Sequence, residues 1–466
     1  MTTDQADQAD QADQVDVLVI FGATGDLAKL ETFPALVALV KRGALDVPVI
    51  GVADSGWNLD KFRDYATASM KQHNIDPASP AAVQLLKQLR YVDGDVNDPA
   101  AYQAVSDQMG QAKRPLFYLE VPPSLFGRIS EGISKAGRAQ NSRIMVEKPF
   151  GHDLASARQL NALMHTFYPE DAIYRVDHWL GREAVDSLMF VRFANSTIEP
   201  LLNRTYVQSI QITMAEAFDV SDRGRFYDQN GAIRDVIQTH LLQVLATVMA
   251  EPPEGSGLDS WATSKAQLLS ALRPLTPELT VKGQYEGYLD VKGVAPGSKT
   301  ETYAAIRLTA DSWRWADVPI LIRAGKTLPV TATEVSITFR RPPHDVFEVG
   351  KDKNTLRFRV DPDNRVSLSL VGKKPGAGWL PEPEELQFAD NSGSDQLPYD
   401  RLIGAALSGQ RWLFASEDAV EAAWRVVDPV LGPDVVPVHQ YARGSWGPDE
   451  ADRLLPDGEQ WYDPTS

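Results

Sequence analysis

The chain has 466 residues, no cysteine and a net charge of −17. It is too long for one ordinary core, so two domains are expected, and it can form no disulfide, cysteine-ligated metal site or thiol nucleophile, which suits a reducing, cytoplasmic setting. The excess of 63 Asp and Glu over 46 Lys and Arg argues against nucleic acid or anionic membranes as partners, so a phosphorylated substrate would have to be met by cations gathered locally.

Residues 1–14 are dominated by a polar Asp-Gln-Ala repeat with no apolar face, which reads as a disordered tail. From Val15 the pattern becomes VDVLVIFG, a buried strand, followed by GATGDLA and an apolar-periodic helix to about Val40. Further strands are expected at 48–54, near 89–96, in RPLFYLEVPP and in SRIMVEKPFG, with helices between them. This alternation implies an α/β Rossmann-type domain over 15–175, built on a parallel sheet covered on both faces. Beyond it, YVQSIQITMAEAF reads as a strand and GAIRDVIQTHLLQVLATVMA as a long helix. TYAAIRLTA, PILIRAGK, EVSITFRRP, NTLRFRVDP and RVSLSLVG follow as alternating strands, and helices return after Tyr399. Residues 176–466 are therefore expected to form an α+β domain with a large mixed, mostly antiparallel sheet. Such a sheet commonly buries a face against a second copy, so a homodimer is expected, with a tetramer as the larger alternative. No apolar run approaches the ~20 residues of a membrane helix, and no secretory leader is visible.

Gly22, Thr24, Gly25, Asp26 and Leu27 lie where the first strand passes into the first helix. Glycines there let the backbone turn tightly and approach a pyrophosphate, whose charge the helix N-terminus favours. A tight strand–helix turn needs glycine for steric reasons as well, so the βαβ context carries the reading. Asp54 ends the second strand, where a carboxylate pairs with the ribose 2′-hydroxyl of NAD and an arginine with the 2′-phosphate of NADP. The alternative is an ordinary loop aspartate.

Three segments carry the chemistry. IMVEKPFG supplies Glu147, Lys148 and Pro149 at a strand end, YRVDHWLGRE supplies Asp177, His178 and Arg182, and GAIRDVIQTHLLQ supplies Asp235 and His240. His178 and Arg182 are four apart, facing one way on a helical turn, as a phosphate seat requires. Asp235 and His240 are five apart, about 140° around an α-helix, and should approach a ligand from adjoining sides. Singly, each segment has a plainer reading: a surface Asp-His bond, a strand-end turn, a core histidine.

Together with YLEVPPSLF, RFAN, DRGRFYD, WRWADVPILIRAGK and YARGSWGP, these segments resemble the glucose-6-phosphate dehydrogenase family over nearly the whole chain after the tail. The resemblance implies oxidation of C1 of glucose 6-phosphate to 6-phosphogluconolactone, the first step of the oxidative pentose phosphate pathway, with NADP or NAD as cofactor and no metal. It implies His240 as general base and Asp177 as its orienting carboxylate. His178 and Arg182, beside Trp179, become the phosphate pair, and Glu216, Asp235 and Lys326 become sugar ligands. Lys148 would lie between sugar and nicotinamide, with Pro149, Pro122 and Glu147 on the cofactor side. Lys148, His178, Arg182 and Lys326 would then make a local positive pocket. The sequence departs from the family at Arg182 and Trp179, where Lys and Tyr are usual. Lys29-Leu30-Glu31 replaces a basic run, and Asp54 stands where an arginine is usual; both lean toward NAD or dual use. Thr331-Ala332-Thr333 lacks the basic residues of the additional structural NADP site of some animal members, so no such site is expected. The rivals are a C1 dehydrogenase of another phosphorylated or free hexose, and a non-catalytic dinucleotide-binding paralogue.

Overall fold

The computed structural model describes residues 14–465 apart from 222, 256, 257, 259, 348, 350–352 and 390–395, so the expected tail lies outside the described residues except for Gln14. The first sheet contains β1 (Val17–Phe21), β2 (Val49–Ala53), β3 (Leu89–Asp93), β4 (Pro115–Leu119), β5 (Arg143–Val146) and β6 (Ile173–Arg175). Its order is β3-β2-β1-β4-β5-β6, and every pairing is parallel. β1 shows why VLVIF folds this way. Val17, Val19 and Phe21 point into one core with Tyr102, Val105, Ile129 and Ile133. Leu18 and Ile20 point into the other with Leu36, Leu39, Phe62 and Ala66. A strand buried on both faces must be apolar at every position. The helix Pro398–Ser408 returns from far along the chain to complete the second of these layers, with Leu402 and Ile403 in the same core.

The second sheet is nine-stranded: β7 (Val207–Ala215), β8 (Thr280–Tyr285), β9 (Tyr303–Leu308), β10 (Ile320–Gly325), β11 (Ala332–Phe339), β12 (Thr355–Asp361), β13 (Arg365–Lys373), β14 (Pro381–Ala389) and β15 (Val438–Tyr441). Its order is β14-β13-β12-β11-β7-β10-β9-β8-β15, antiparallel except for β7–β10 and β8–β15. Alternation sorts its two faces. Ile210, Ile212, Ile322, Val335 and Ile337 pack with Ile233, Ile237 and Leu241 of the long helical segment. On the other face the polar Ser209, Gln211, Arg323 and Arg359 bond residues 459–465, through Glu459, Gln460, Tyr462, Asp463 and Thr465.

That helical segment is not one regular α-helix. Gly224–Ala232 is kinked at Gly231, whose φ of 70° is strained for any other residue, and a Cβ there would come within 2.5 Å of the Glu301 carboxylate. Glu301 Oε1 accepts from Ile233 N at 3.1 Å and so caps the next stretch, Ile233–Leu241, which is π-helical before α geometry resumes over Leu242–Met249. Among the described residues, no helix is long and apolar enough to cross a membrane.

Candidate active site

The strand order reverses between β1 and β4, the crevice where open α/β sheets bind ligands at their carboxyl ends. The expected glycine turn lies there. Gly22 N donates to Val52 O and Gly25 N to Gly22 O, both at 2.9 Å, and Asp26 and Leu27 open the helix. Gly22 has a φ of 86°, and a Cβ would fall 2.3 Å from Glu120 O, so the close approach of β4 requires glycine. Thr24 Oγ1 and Ser55 Oγ lie 2.7 Å apart, which ties the end of β2 to the turn and sets the exposed Asp54 beside it. These residues fit a dinucleotide: backbone and a helix N-terminus for the pyrophosphate, a carboxylate at the ribose position. Pro122 follows β4, and a cis bond joins Lys148 to Pro149 after β5. Glu147 is turned inward, accepting from Tyr118 OH at 2.7 Å and Tyr399 OH at 3.4 Å. Burial pushes it up to about 7.

The substrate-side cavity, about 560 Å³, opens where the two sheets meet. Lys148 reaches it from β5, His178, Trp179 and Arg182 from the turn after β6, Glu216 from β7, Asp235 and His240 from the π-helical stretch, and Lys326 from β10. His240 is 3% exposed; its Nδ1 lies 2.5 Å from Asp177 Oδ1, and its Nε2 lies 2.9 Å from Lys148 Nζ. Lys148 Nζ also donates to Asp235 Oδ1 at 3.0 Å. One lysine therefore touches both Asp235 and His240, which corrects the expected 140° separation. In a π-helix, residues five apart come nearly into line. Residues 178–181 likewise form successive turns, with Gly181 N bonded to His178 O and Arg182 N to Trp179 O, rather than a helical turn. His178, Trp179 and Arg182 still converge on the cavity.

Electrostatically the cavity is balanced. Its described lining residues include Lys148, Arg182, Arg223 and Lys326, but also Glu216, Asp219, Asp235 and Asp361. Lys326 Nζ lies 2.5 Å from Glu216 Oε2, and Arg182 Nη1 lies 2.6 Å from Asp361 Oδ1 while its guanidinium stacks 4.3 Å from the Trp179 ring centroid. The expected positive pocket is thus corrected to a set of paired charges, because cations drawn into a partly buried site need counter-ions until a ligand supplies them. Burial, then Lys148, hold His240 well below its ordinary value, so it is neutral and its Nε2 can accept a proton. Burial, with His240 next to it, drops His178 to about 3. Burial pushes Asp177 up to about 6. Burial would raise Asp235 too, but the charge and hydrogen bond of Lys148 outweigh it and keep it ionised. Among the described residues, two sets of donor atoms are close enough to hold a metal, Asp177–His178–His240 and His165–Glu170–Glu417. In the first, Asp177 binds His240; in the second, Arg175 binds Glu170 at 2.8 Å.

Residues 19–187 match the family model of the glucose-6-phosphate dehydrogenase NAD binding domain, and residues 189–462 match that of the glucose-6-phosphate dehydrogenase C-terminal domain. The chain belongs to the glucose-6-phosphate dehydrogenase family. Its activity is accordingly that of an oxidoreductase acting on a CH–OH group, and its first domain is the family's dinucleotide-binding domain. It is 44% identical over 452 residues to glucose-6-phosphate 1-dehydrogenase 1 of Mycobacterium tuberculosis, covering 96% of both chains. Among solved structures, glucose-6-phosphate 1-dehydrogenase from Mycobacterium avium superposes with a TM-score of 0.90 at 44% identity, covering 97% of this chain and 99% of that one. A glucose-6-phosphate dehydrogenase in complex with its substrate glucose-6-phosphate superposes at 0.88 with 31% identity over 97% and 99% of the two chains.

In this member of the glucose-6-phosphate dehydrogenase family, some cavity residues were invisible to sequence reading. Asp361 lies on β12, 179 residues from the Arg182 it binds. Phe218 and Tyr227 place their rings 4.7 and 5.5 Å from Lys326 Nζ. Only Tyr227 had a signal, as part of DRGRFYD.

Proposed function

We propose that the cavity seats glucose 6-phosphate with C1 against His240 and its phosphate against His178 and Arg182, over Trp179. The observation that carries this reading is the chain of contacts Asp177–His240–Lys148–Asp235. Asp177 holds Nδ1–H, so the lone pair of Nε2 faces the cavity; in the free protein it accepts from Lys148. The substrate's C1 hydroxyl takes that place and gives its proton to Nε2 as C1 is oxidised. Asp177 stabilises the imidazolium that forms. Displaced Lys148 bonds the sugar and lies beside the nicotinamide, which takes its place against Pro149 and Pro122. Asp235, Glu216 and Lys326 trade ion-pair contacts for sugar hydroxyls. The bound dinucleotide supplies the hydride acceptor, and the product is 6-phosphogluconolactone.

Asp54 supports use of NAD, or dual use, over a strict requirement for NADP. A carboxylate accepts the ribose 2′-hydroxyl and repels a 2′-phosphate. Initial rates with glucose 6-phosphate and NAD or NADP in parallel test both readings. A kcat/KM favouring NAD supports the role of Asp54, one favouring NADP overturns it, and no turnover with either overturns the substrate assignment. Assembly as a homodimer is supported by exposed Leu370, Leu386 and Phe388 on β13 and β14; light scattering during gel filtration tests it.

A further inference from the structure

Among the buried polar atoms that find no hydrogen-bond partner in the described residues are Lys265 Nζ, Asp177 Oδ2 and Gln243 Oε1. The first carries three donors and the other two are acceptors. Lys265 is 1% exposed within the helix Trp261–Ala271, where Trp261, Ala266, Leu268 and Leu269 are buried with it. That helix packs on Leu242–Met249, which carries Gln243 three residues after His240. Asp177 is also 1% exposed. None of the three lines the substrate cavity. An ammonium enclosed among apolar side chains needs a counter-charge. Burial lowers Lys265 to about 8, with the Asp177 carboxylate acting against it; burial raises Asp177, and Lys265 is one of the groups that act against that rise.

We propose that Lys265 is a positioning residue of the proton-accepting pair: stationed behind Asp177, with Gln243 as a second acceptor, its ammonium keeps that carboxylate charged and aimed through Oδ1 at His240. This rests on the reading of His240 as the base. Asp177 then sits between two nitrogens, the imidazole on the substrate side and the ammonium in the interior. The other groups acting on it are the His178 ring, the Trp179 backbone N–H and Lys148. Lys265 touches neither sugar nor dinucleotide, so its contribution should appear in turnover and its pH dependence and leave substrate binding alone.

The test compares Lys265→Met and Lys265→Arg with the unsubstituted enzyme, following kcat and kcat/KM from about pH 5 to about 9. A carboxylate deprived of its cation takes up a proton at higher pH. Lys265→Met should therefore lose about tenfold in kcat, keep KM for glucose 6-phosphate within about twofold, and move the acid limb up by about one pH unit. Lys265→Arg should keep the limb in place. The substrate phosphate titrates alike in all three and cancels. A limb in Lys265→Met that coincides with the unsubstituted one overturns the proposal, as does an equal movement in Lys265→Arg, which would assign the effect to packing. If Lys265→Met does not fold, Lys265→Gln takes the same measurement. His240→Asn is measured alongside. Retained turnover there overturns the base itself; lost turnover there with an unmoved limb in Lys265→Met overturns only the role of Lys265.

Discussion

On the substrate side of the cleft Lys148, Arg182 and Lys326 each reach the cavity already paired with a carboxylate. On the cofactor side, at the ends of β1 and β2, the site is made of backbone: the Gly22–Gly25 turn, a helix N-terminus, and one exposed carboxylate at Asp54. The first arrangement lets a protein of net charge −17 keep cations in a partly buried site at no net charge, so binding is an exchange of partners. The second needs no side-chain charge, because oriented peptide groups meet the pyrophosphate. Substitutions should therefore act on the substrate side through the identity of charged groups, and on the cofactor side through backbone geometry, with Asp54 the exception.

The largest effect should come from breaking the pair behind the exchange. Asp177→Asn is expected to lower kcat by about 10²–10⁴-fold with little change in KM, checked by steady-state kinetics. The sign of the pH dependence follows from the same group. Burial raises Asp177 to about 6, so it is ionised above that pH and protonated below it. kcat/KM should fall as pH drops below about 6, and a profile that stays level through this range would remove Asp177 from the mechanism. Next is the backbone side. Gly22→Ala forces a Cβ to within 2.3 Å of Glu120 O at a φ of 86°. It should cost about 1–3 kcal/mol of stability and weaken dinucleotide binding while sparing glucose 6-phosphate binding, measured by thermal unfolding and calorimetry. Asp54→Arg should move the NADP-to-NAD ratio of kcat/KM toward NADP by about 10-fold or more, since it exchanges a repulsive charge for an ion pair. The smallest effect expected is for Arg182→Lys. Lysine keeps the charge but loses the planar stack on Trp179 and the Nη1 bond to Asp361, so KM for glucose 6-phosphate should rise by about threefold to tenfold at similar kcat.

The same contrast explains what could be read from sequence. The glycine turn and the parallel sheet were legible because their signals are local: an all-apolar strand, a turn, then an apolar-periodic helix. Asp177, His178 and His240 were legible because their motifs are short and dense. The alignment of Asp235 with His240 was not, since a π-helical stretch leaves no signature in a periodicity that assumes α geometry. Asp361 and Glu301 were hidden by sequence distance; each acts on a residue far along the chain. β6, β8, β14 and β15 escaped for other reasons. β6 is three residues long, β8 is interrupted by Lys282 and Gly283, β14 begins with Pro and acids as an edge strand does, and β15 is four residues long.

The most direct test of the account is turnover and substrate binding by His240→Asn. Asparagine preserves polarity but cannot serve as a base. The account predicts binding of glucose 6-phosphate within a few-fold of the unsubstituted enzyme by calorimetry, and a kcat lower by about 10³-fold or more. Near-normal turnover in that variant would contradict it and leave the proton of the C1 hydroxyl to another group in the cavity.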